Sequence, residues 1–296
     1  LLRRSFLVPT LLFVVAAGLT ACGTPATAEN PAATVNGTDV SMAAYNKELR
    51  FELVQQQSNI GFNPCDAKGL NAVCSSVKKS ALDTLIDRIL IRDYAASHHI
   101  VVTQADIDRQ WAIIFKQDFH DQTPVLQAYA KRYGMKPADI KQKTADQMLQ
   151  DAVMVSLTRN MPQTAPAVRF SKIDVKSPSD VAAVKLALAQ GQSFSSIAAR
   201  LNRVKKSLCS QTHCGDAGWL PDAFVPSGDR SVLTAKIGSV VGPFQGQQYS
   251  EFLQITGRNP SYQLTSQQVL RFRQQKLVAW LKSQEKKATI QRNVGA

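Results

Sequence analysis

Residues 168 to 175 read Val168-Arg169-Phe170-Ser171-Lys172-Ile173-Asp174-Val175. Apolar and polar side chains alternate there, and alternation over eight residues predicts a strand with one buried face. The segment decides the fold because the half before it reads mainly as helix, and the texture changes at Pro162 to Pro166, a predicted hinge. Beyond it, Pro178 to Ala189 reads as a helix, and Gln190-Gly191-Gln192-Ser193 leads into a second, short helix from Phe194. A basic loop, Arg203 to His213, gives way to Gly215-Asp216-Ala217-Gly218-Trp219-Leu220, and strand-like runs recur at Val240 to Phe244 and Phe252 to Thr256. The prediction is an α+β domain of about 90 residues, with strands at both ends and helices between.

Upstream, Val35-Asn36-Gly37 followed by Val40 predicts a short hairpin on an Asn-Gly turn, and Ser41 caps a helix running to about Gln57. A second helix is expected near 76–97, with Leu82, Leu85, Ile86 and Ile89 on one face. Thr103 with Asp106 opens a third, through about Phe119; others are expected near 123–133 and from Pro137 to about Met161. His98, His99 and His120 lie near helix ends and read as partners of the helix dipole rather than as chemistry. Downstream of Gly257-Arg258-Asn259-Pro260, a helix from Thr265 to about Lys287 carries Val269, Leu270, Leu277, Trp280 and Leu281 on one side. That stripe reads as packing on the N-terminal helices. The alternative is a basic amphipathic element lying on a membrane, since residues 265–292 hold seven basic side chains and one acid.

The 296 residues are 44% apolar, 19% charged and 7% aromatic, which excludes a disordered, collagen-like or multi-span membrane chain. Lysine and arginine number 35 against 22 acids, a balance of +13 that favours anionic surroundings without choosing among them. No internal repeat, nucleotide-binding glycine loop or nucleic-acid-binding signature is present, so neither a cofactor nor nucleic acid is expected. Arg3 and Arg4, the apolar run Phe6 to Gly18 and Leu19-Thr20-Ala21-Cys22 resemble a bacterial lipoprotein signal. Removal of residues 1–21 would leave Cys22 as the lipid-bearing residue of an extracytoplasmic, membrane-anchored protein. An ordinary secretory signal or a single anchor helix are the alternatives, and Arg3-Arg4-Ser5-Phe6-Leu7 also fits twin-arginine export. The signal holds two arginines and no acid, so 33 basic and 22 acidic residues remain, a balance of +11. Residues 22–33 have the small, Pro-containing composition of a tether. The other cysteines form two close couples, Cys65 with Cys74 and Cys209 with Cys214. In an oxidising compartment these read as disulfides, and local pairing is expected among the three connectivities. A zinc site from Cys209, His213 and Cys214 lacks a fourth ligand nearby, so no metal is expected.

In this order and spacing the segments resemble the parvulin-type peptidyl-prolyl isomerases of bacterial envelopes, the SurA- and PrsA-like foldases. Ala81-Leu82-Asp83-Thr84-Leu85-Ile86-Asp87-Arg88 with Ile100-Val101-Val102-Thr103 resembles the chaperone module's central helix and following turn. Val168-Arg169-Phe170-Ser171-Lys172-Ile173 resembles the first parvulin strand, Gly191-Gln192-Ser193-Phe194 with Ile197-Ala198 its second helix, and Gly215-Asp216-Ala217-Gly218-Trp219 its signature loop. Gly238-Ser239-Val240-Val241-Gly242-Pro243 is similar to the entry to the third strand. The resemblance implies a helical chaperone domain, residues 34–164, completed by a C-terminal helix in 259–296, with a parvulin-like β-α3-β-α-β2 domain inserted at 165–258. It implies a folding factor that binds unfolded or newly exported polypeptides, with Phe224, Trp219 and Leu233 lining the substrate pocket. The family's two active-site histidines fall on Lys172 and Glu251, and its Cys or Asp region on Arg203 and Val204. Isomerase activity is therefore left open, and Lys172 and Glu251 are expected to form a half-buried ion pair. The alternatives are a catalytically inactive holdase, or a basic surface scaffold binding anionic envelope polymers.

Overall fold

The computed structural model describes residues 30–66, 68–201, 215–246 and 248–294. The expected signal, Cys22 and the tether up to residue 29 lie outside these residues, as do Arg203, Val204, Cys209 and Cys214. The chain divides into two compact units: the described parts of 1–89 with 127–136 and 288–296, and those of 90–126 with 137–287.

In the first unit, β1 (Ala33–Val35) and β2 (Thr38–Val40) form the expected hairpin. Its turn needs left-handed backbone at both central residues, and Asn36 and Gly37 supply it with φ of 49° and 82°. Ala32 is already fully buried, so the folded body begins just inside the expected tether. The Ser41 hydroxyl accepts from the Ala44 N–H and starts α1 (Met42–Ile60), which runs three residues beyond the expected end to a left-handed Gly61. The next helix, α2 (Asn71–Ser97), begins five residues early and takes in Cys74, which is disulfide-bonded to Cys65. Leu82, Leu85 and Ile86 are buried on it as the spacing predicts.

Helices α3 (Gln104–Phe119), α4 (Thr123–Arg132) and α5 (Pro137–Leu157) follow. At the start of α3 the Thr103 and Asp106 side chains each accept from the other's backbone N–H.

The second unit contains a four-stranded antiparallel sheet. Its strands are β3 (Thr164–Val175), β4 (Asp216–Pro221), β5 (Val240–Gln245) and β6 (Ser250–Gln263), in the order β4-β3-β6-β5. Between β3 and β4 lie α6 (Pro178–Ala189) and α7 (Phe194–Leu201). Ile173, Val175 and Phe252 face these helices and meet Val184, Ala187, Phe194, Ile197 and Ala198. The opposite face buries Val168, Leu253 and Ile255 under Val225 and Val232 of the segment that joins β4 to β5.

Three features differ from the sequence expectation. The central strand β3 begins inside the predicted Pro162–Pro166 hinge, and β6 continues past Thr256, where the last strand was expected to end, through Gly257–Pro260. Their register shifts between Ala165 and Ala167, so the ladder skips Pro166 and Pro260, which have no N–H to give. Gly215 to Trp219, expected as a loop, lead into and form an edge strand, because Arg169 and Phe170 pair with Trp219 and Gly218. A third strand, β7 (Ile290–Arg292), pairs antiparallel with β1, where no strand is expected from the sequence.

The last helix, α8 (Ser266–Glu285), opens with reciprocal Thr265 and Gln268 capping bonds. It buries Leu277 and Leu281, lies against α5, and sets Trp280 edge-on to Tyr94 with ring centroids 5.0 Å apart. Leu277, Trp280 and Leu281 of the expected stripe therefore pack on helices that precede Pro162, whereas Leu270 is 46% exposed.

Candidate functional site

The two central strands carry the site. Across β3 and β6, Asp174 stands opposite Glu251 and Lys172 opposite Leu253. Residues two apart on a strand share a face, so Lys172, Asp174 and Glu251 converge on the side of the sheet away from α6 and α7. The Lys172 Nζ lies 3.0 Å from Glu251 Oε1 and 3.1 Å from Asp174 Oδ2. Lys172 and Glu251 are half-buried, and Asp174 is 1% exposed. Sequence reasoning identified the first two and missed Asp174, although its period-two relation to Lys172 was legible.

Electrostatics tie a fourth residue to this cluster. Burial pushes the Asp174 carboxyl above the ordinary carboxylate range; the Lys172 charge and hydrogen bond oppose the shift, and the Glu251 charge adds to it. Asp229, on the 3-10 segment Ser227–Leu233, is raised first by burial and then by the Glu251 charge, with Lys172 opposing. Burial alone would pull the Lys172 ammonium down, but its hydrogen bonds to Glu251 and Asp174 and their charges outweigh this and hold it above the usual lysine range. The site thus presents a firmly protonated lysine among three carboxyl groups.

Two glycines let the strands approach closely enough to build it. A Cβ on Gly215, φ 87°, would lie 2.8 Å from the Lys172 carbonyl oxygen, and one on Gly242, φ 111°, would lie 2.5 Å from that of Glu251. Only glycine takes both the left-handed backbone and the contact.

The three expected pocket residues occupy different surroundings. Phe224 is 6% exposed; the Phe272 ring of α8 lies on it at 4.2 Å between centroids, and the Arg271 guanidinium sits 4.4 Å from its ring centre. Trp219 stacks on Tyr262 at 5.6 Å, and its carbonyl accepts from Gln268 Nε2 at 3.4 Å. Leu233 packs half-buried on the cluster around Val168 and Ile255. Phe224 and Trp219 are thus engaged by the chain's own C-terminal segment.

In the first unit a groove of about 530 Å³ runs between α1 and α2. Glu48, Glu52, Gln55, Gln56, Ser76 and Ser80 give it a mainly polar lining, with Phe51, Val73 and Val77 as apolar patches. Glu48 is 5% exposed and pairs with Arg88 at 3.4 Å, and Thr84 donates to Glu52 at 3.3 Å.

His98 hydrogen-bonds through Nδ1 to the Tyr94 carbonyl at 2.9 Å and stacks on that ring, while His120 is the left-handed C-cap of α3. Among the described residues, no group of three or more His, Cys, Asp or Glu side chains is placed to hold a metal ion, and no helix is long and apolar enough to cross a membrane.

The model of the SurA-like N-terminal domain family matches residues 3–154. Among solved structures, a peptidylprolyl isomerase, PrsA, of Bacillus anthracis is 17% identical, with 68% of this chain and 88% of that one covered at a TM-score of 0.44. PrsA of Bacillus cereus is 13% identical, with 84% of each chain covered at 0.38. A SurA-like chaperone of Campylobacter jejuni is 10% identical, with 88% and 98% covered at 0.32. No curated protein matches the chain.

Proposed function

Because the chain belongs to the SurA-like N-terminal domain family over just more than half its length, we propose that it is an extracytoplasmic folding factor that binds unfolded or newly exported polypeptides. In this reading a lipid on Cys22 holds it to a bacterial membrane, and the inserted, parvulin-like sheet of residues 165–258 grips client chain without isomerising it efficiently. The α1–α2 groove supports the binding role. Its amides, hydroxyls and scattered apolar side chains suit an extended backbone that still has hydrogen bonds to make.

The observation that carries the reading is the ion cluster. Rotation about a peptidyl-prolyl bond must lose amide resonance, over a barrier near 20 kcal/mol. A catalyst lowers it by fitting the twisted amide better than the planar one. Where the resemblance implies two imidazoles, each able to donate or accept, this chain holds an ammonium bridged to carboxylates. The Lys172 ammonium is already engaged by both carboxylates, and Phe224, expected to line the pocket, is covered by Phe272.

Two measurements test the proposal on the full chain. Suppression of aggregation of a chemically denatured protein is expected, with prolyl isomerisation in a protease-coupled assay at or near the uncatalysed rate. Robust isomerisation, abolished by Phe224→Ala in a variant that still folds, would overturn the non-catalytic part. Absence of any effect on aggregation would overturn the binding part. Mass determination after membrane extraction checks the lipid on Cys22.

A further inference from the structure

The outer face of α8 is unusual in its order. Arg271, Gln274, Gln275, Val278, Ala279 and Lys282 follow at intervals of three, one, three, one and three, so they form one continuous stripe on the helix. All six are exposed, on the side of the helix away from buried Leu277 and Leu281, and they line a shallow hollow of about 410 Å³. Its centre is apolar: Val278 is 51% exposed beside Ala279, whose methyl leaves room above the backbone. A cation stands at each end, Lys282 at one and at the other Arg271, whose guanidinium also lies 4.4 Å from the centre of the Phe224 ring. Glu285, the one acid of the helix, lies half-buried beyond the stripe.

We infer that this face of α8 is a docking strip for acidic polypeptide segments, specifically an extended stretch with two carboxylates flanking apolar side chains. The spacing sets the register. Arg271 and Lys282 are eleven residues apart on a helix rising about 1.5 Å per residue, hence about 16 Å from end to end. An extended chain advances about 3.3 Å per residue, so carboxylates five positions apart meet both cations. Between them, one or two apolar side chains fill the hollow over Val278 and Ala279. The chain's excess of positive charge steers such segments in, and the strip gives the attraction a place to end. The inference rests on the reading that the protein holds non-native polypeptide, and it names the chemistry of the segments preferred.

Fluorescence anisotropy on the full chain tests it. The probe is a labelled ten-residue peptide with glutamates five positions apart around two leucines, and the control is its lysine-for-glutamate counterpart. The acidic peptide is expected to bind at least tenfold more tightly at low salt, with the advantage shrinking toward physiological salt. Lys282→Glu and Val278→Asp, neither of which touches Phe224, are each expected to weaken it about tenfold, and Lys282→Glu to improve binding of the basic peptide. Equal binding of the two peptides, or unchanged affinity in both variants, would overturn the inference. So would variants that lose binding to phosphatidylglycerol vesicles while keeping the acidic peptide, which would make the strip a lipid-facing surface. If denatured protein is still protected from aggregation in any of those cases, the proposed function stands without the strip; if the parent chain protects nothing, the proposed function itself has failed.

Discussion

The two faces of β3 are filled differently: the helix-backed one is wholly apolar, whereas the other sets a cluster of charges beside a second apolar cluster around Val168. Toward α6 and α7, Ile173 and Val175 meet Val184, Ile197 and Phe252, none more than 2% exposed. Toward the other side, Lys172 reaches Glu251 at 3.0 Å and Asp174 at 3.1 Å. Burying apolar surface against helices is the cheaper way to hold a sheet, because it incurs no desolvation of charge. The helix-backed face therefore suffices to fix the strands. A cluster of charges one residue away contributes specificity more than strength, and it occupies the place where the family resemblance puts catalytic groups.

The largest effect expected from breaking this contrast is on the apolar side. Ile173→Ala should destabilise the second unit by about 4 kcal/mol, the usual cost of a cavity at a fully buried position; urea unfolding measures it, and a loss below about 1 kcal/mol would show that the helix-backed face is not the anchor. On the charged side, Lys172→Met leaves Asp174 and Glu251 without their shared cation and should cost about 3 kcal/mol. Replacing all three residues at once by Met and Leu should bring stability back to within about 1 kcal/mol of the parent, since the desolvation penalty disappears along with the attraction. Failure of that recovery would make the cluster a structural necessity.

Titration sharpens the same contrast. Lys172 is held above its ordinary range, so its contribution is complete below the unfolded lysine value and is lost as pH rises through the higher folded one. Asp174 and Asp229 are raised as well, which for an acid has the opposite bearing: the folded state keeps its protons longer, and stability falls as pH climbs through the carboxylate range. Thermal unfolding across both ranges should show the acid-side fall diminished in Asp174→Asn and the alkaline loss absent in Lys172→Met. The smallest effect belongs to Phe272→Leu. It removes a ring contact worth about 1 kcal/mol and opens the face of Phe224; prolyl isomerisation gained in that variant would show that α8 closes a competent pocket.

The helix-backed face was readable at Ile173 and Val175, which stand two apart, whereas Val168 and Phe170 keep the opposite phase and pack on the other face. The charged face was half readable. Lys172 and Glu251 came from the family resemblance, but Asp174 is no neighbour of Lys172 in sequence logic until one asks which side chains share its side of the pleat. Asp229 approaches from a 3-10 segment between strands, and its nearness to Glu251 is tertiary; nothing local announces it. The covering of Phe224 by Phe272 escaped for the same reason, since the two lie on separate elements with no periodic relation. Helix ends shifted by a few residues because capping by Ser41, Thr103 and Thr265 fixes the starts, whereas the stops depend on packing. The three-residue β7 is too short for any alternation to show and exists only because β1 offers it an edge.

That pairing sets a timetable. Asn36 accepts from the Thr289 N–H across 253 positions of sequence, and Arg292 reaches Asp83 at 3.0 Å. A polypeptide leaving a ribosome or threading a translocation pore presents the β1–β2 hairpin long before the strand that covers its bare edge. The first unit cannot lock while its other elements wait, and through that interval the unfinished protein is itself a client for chaperones, with an open edge to shield.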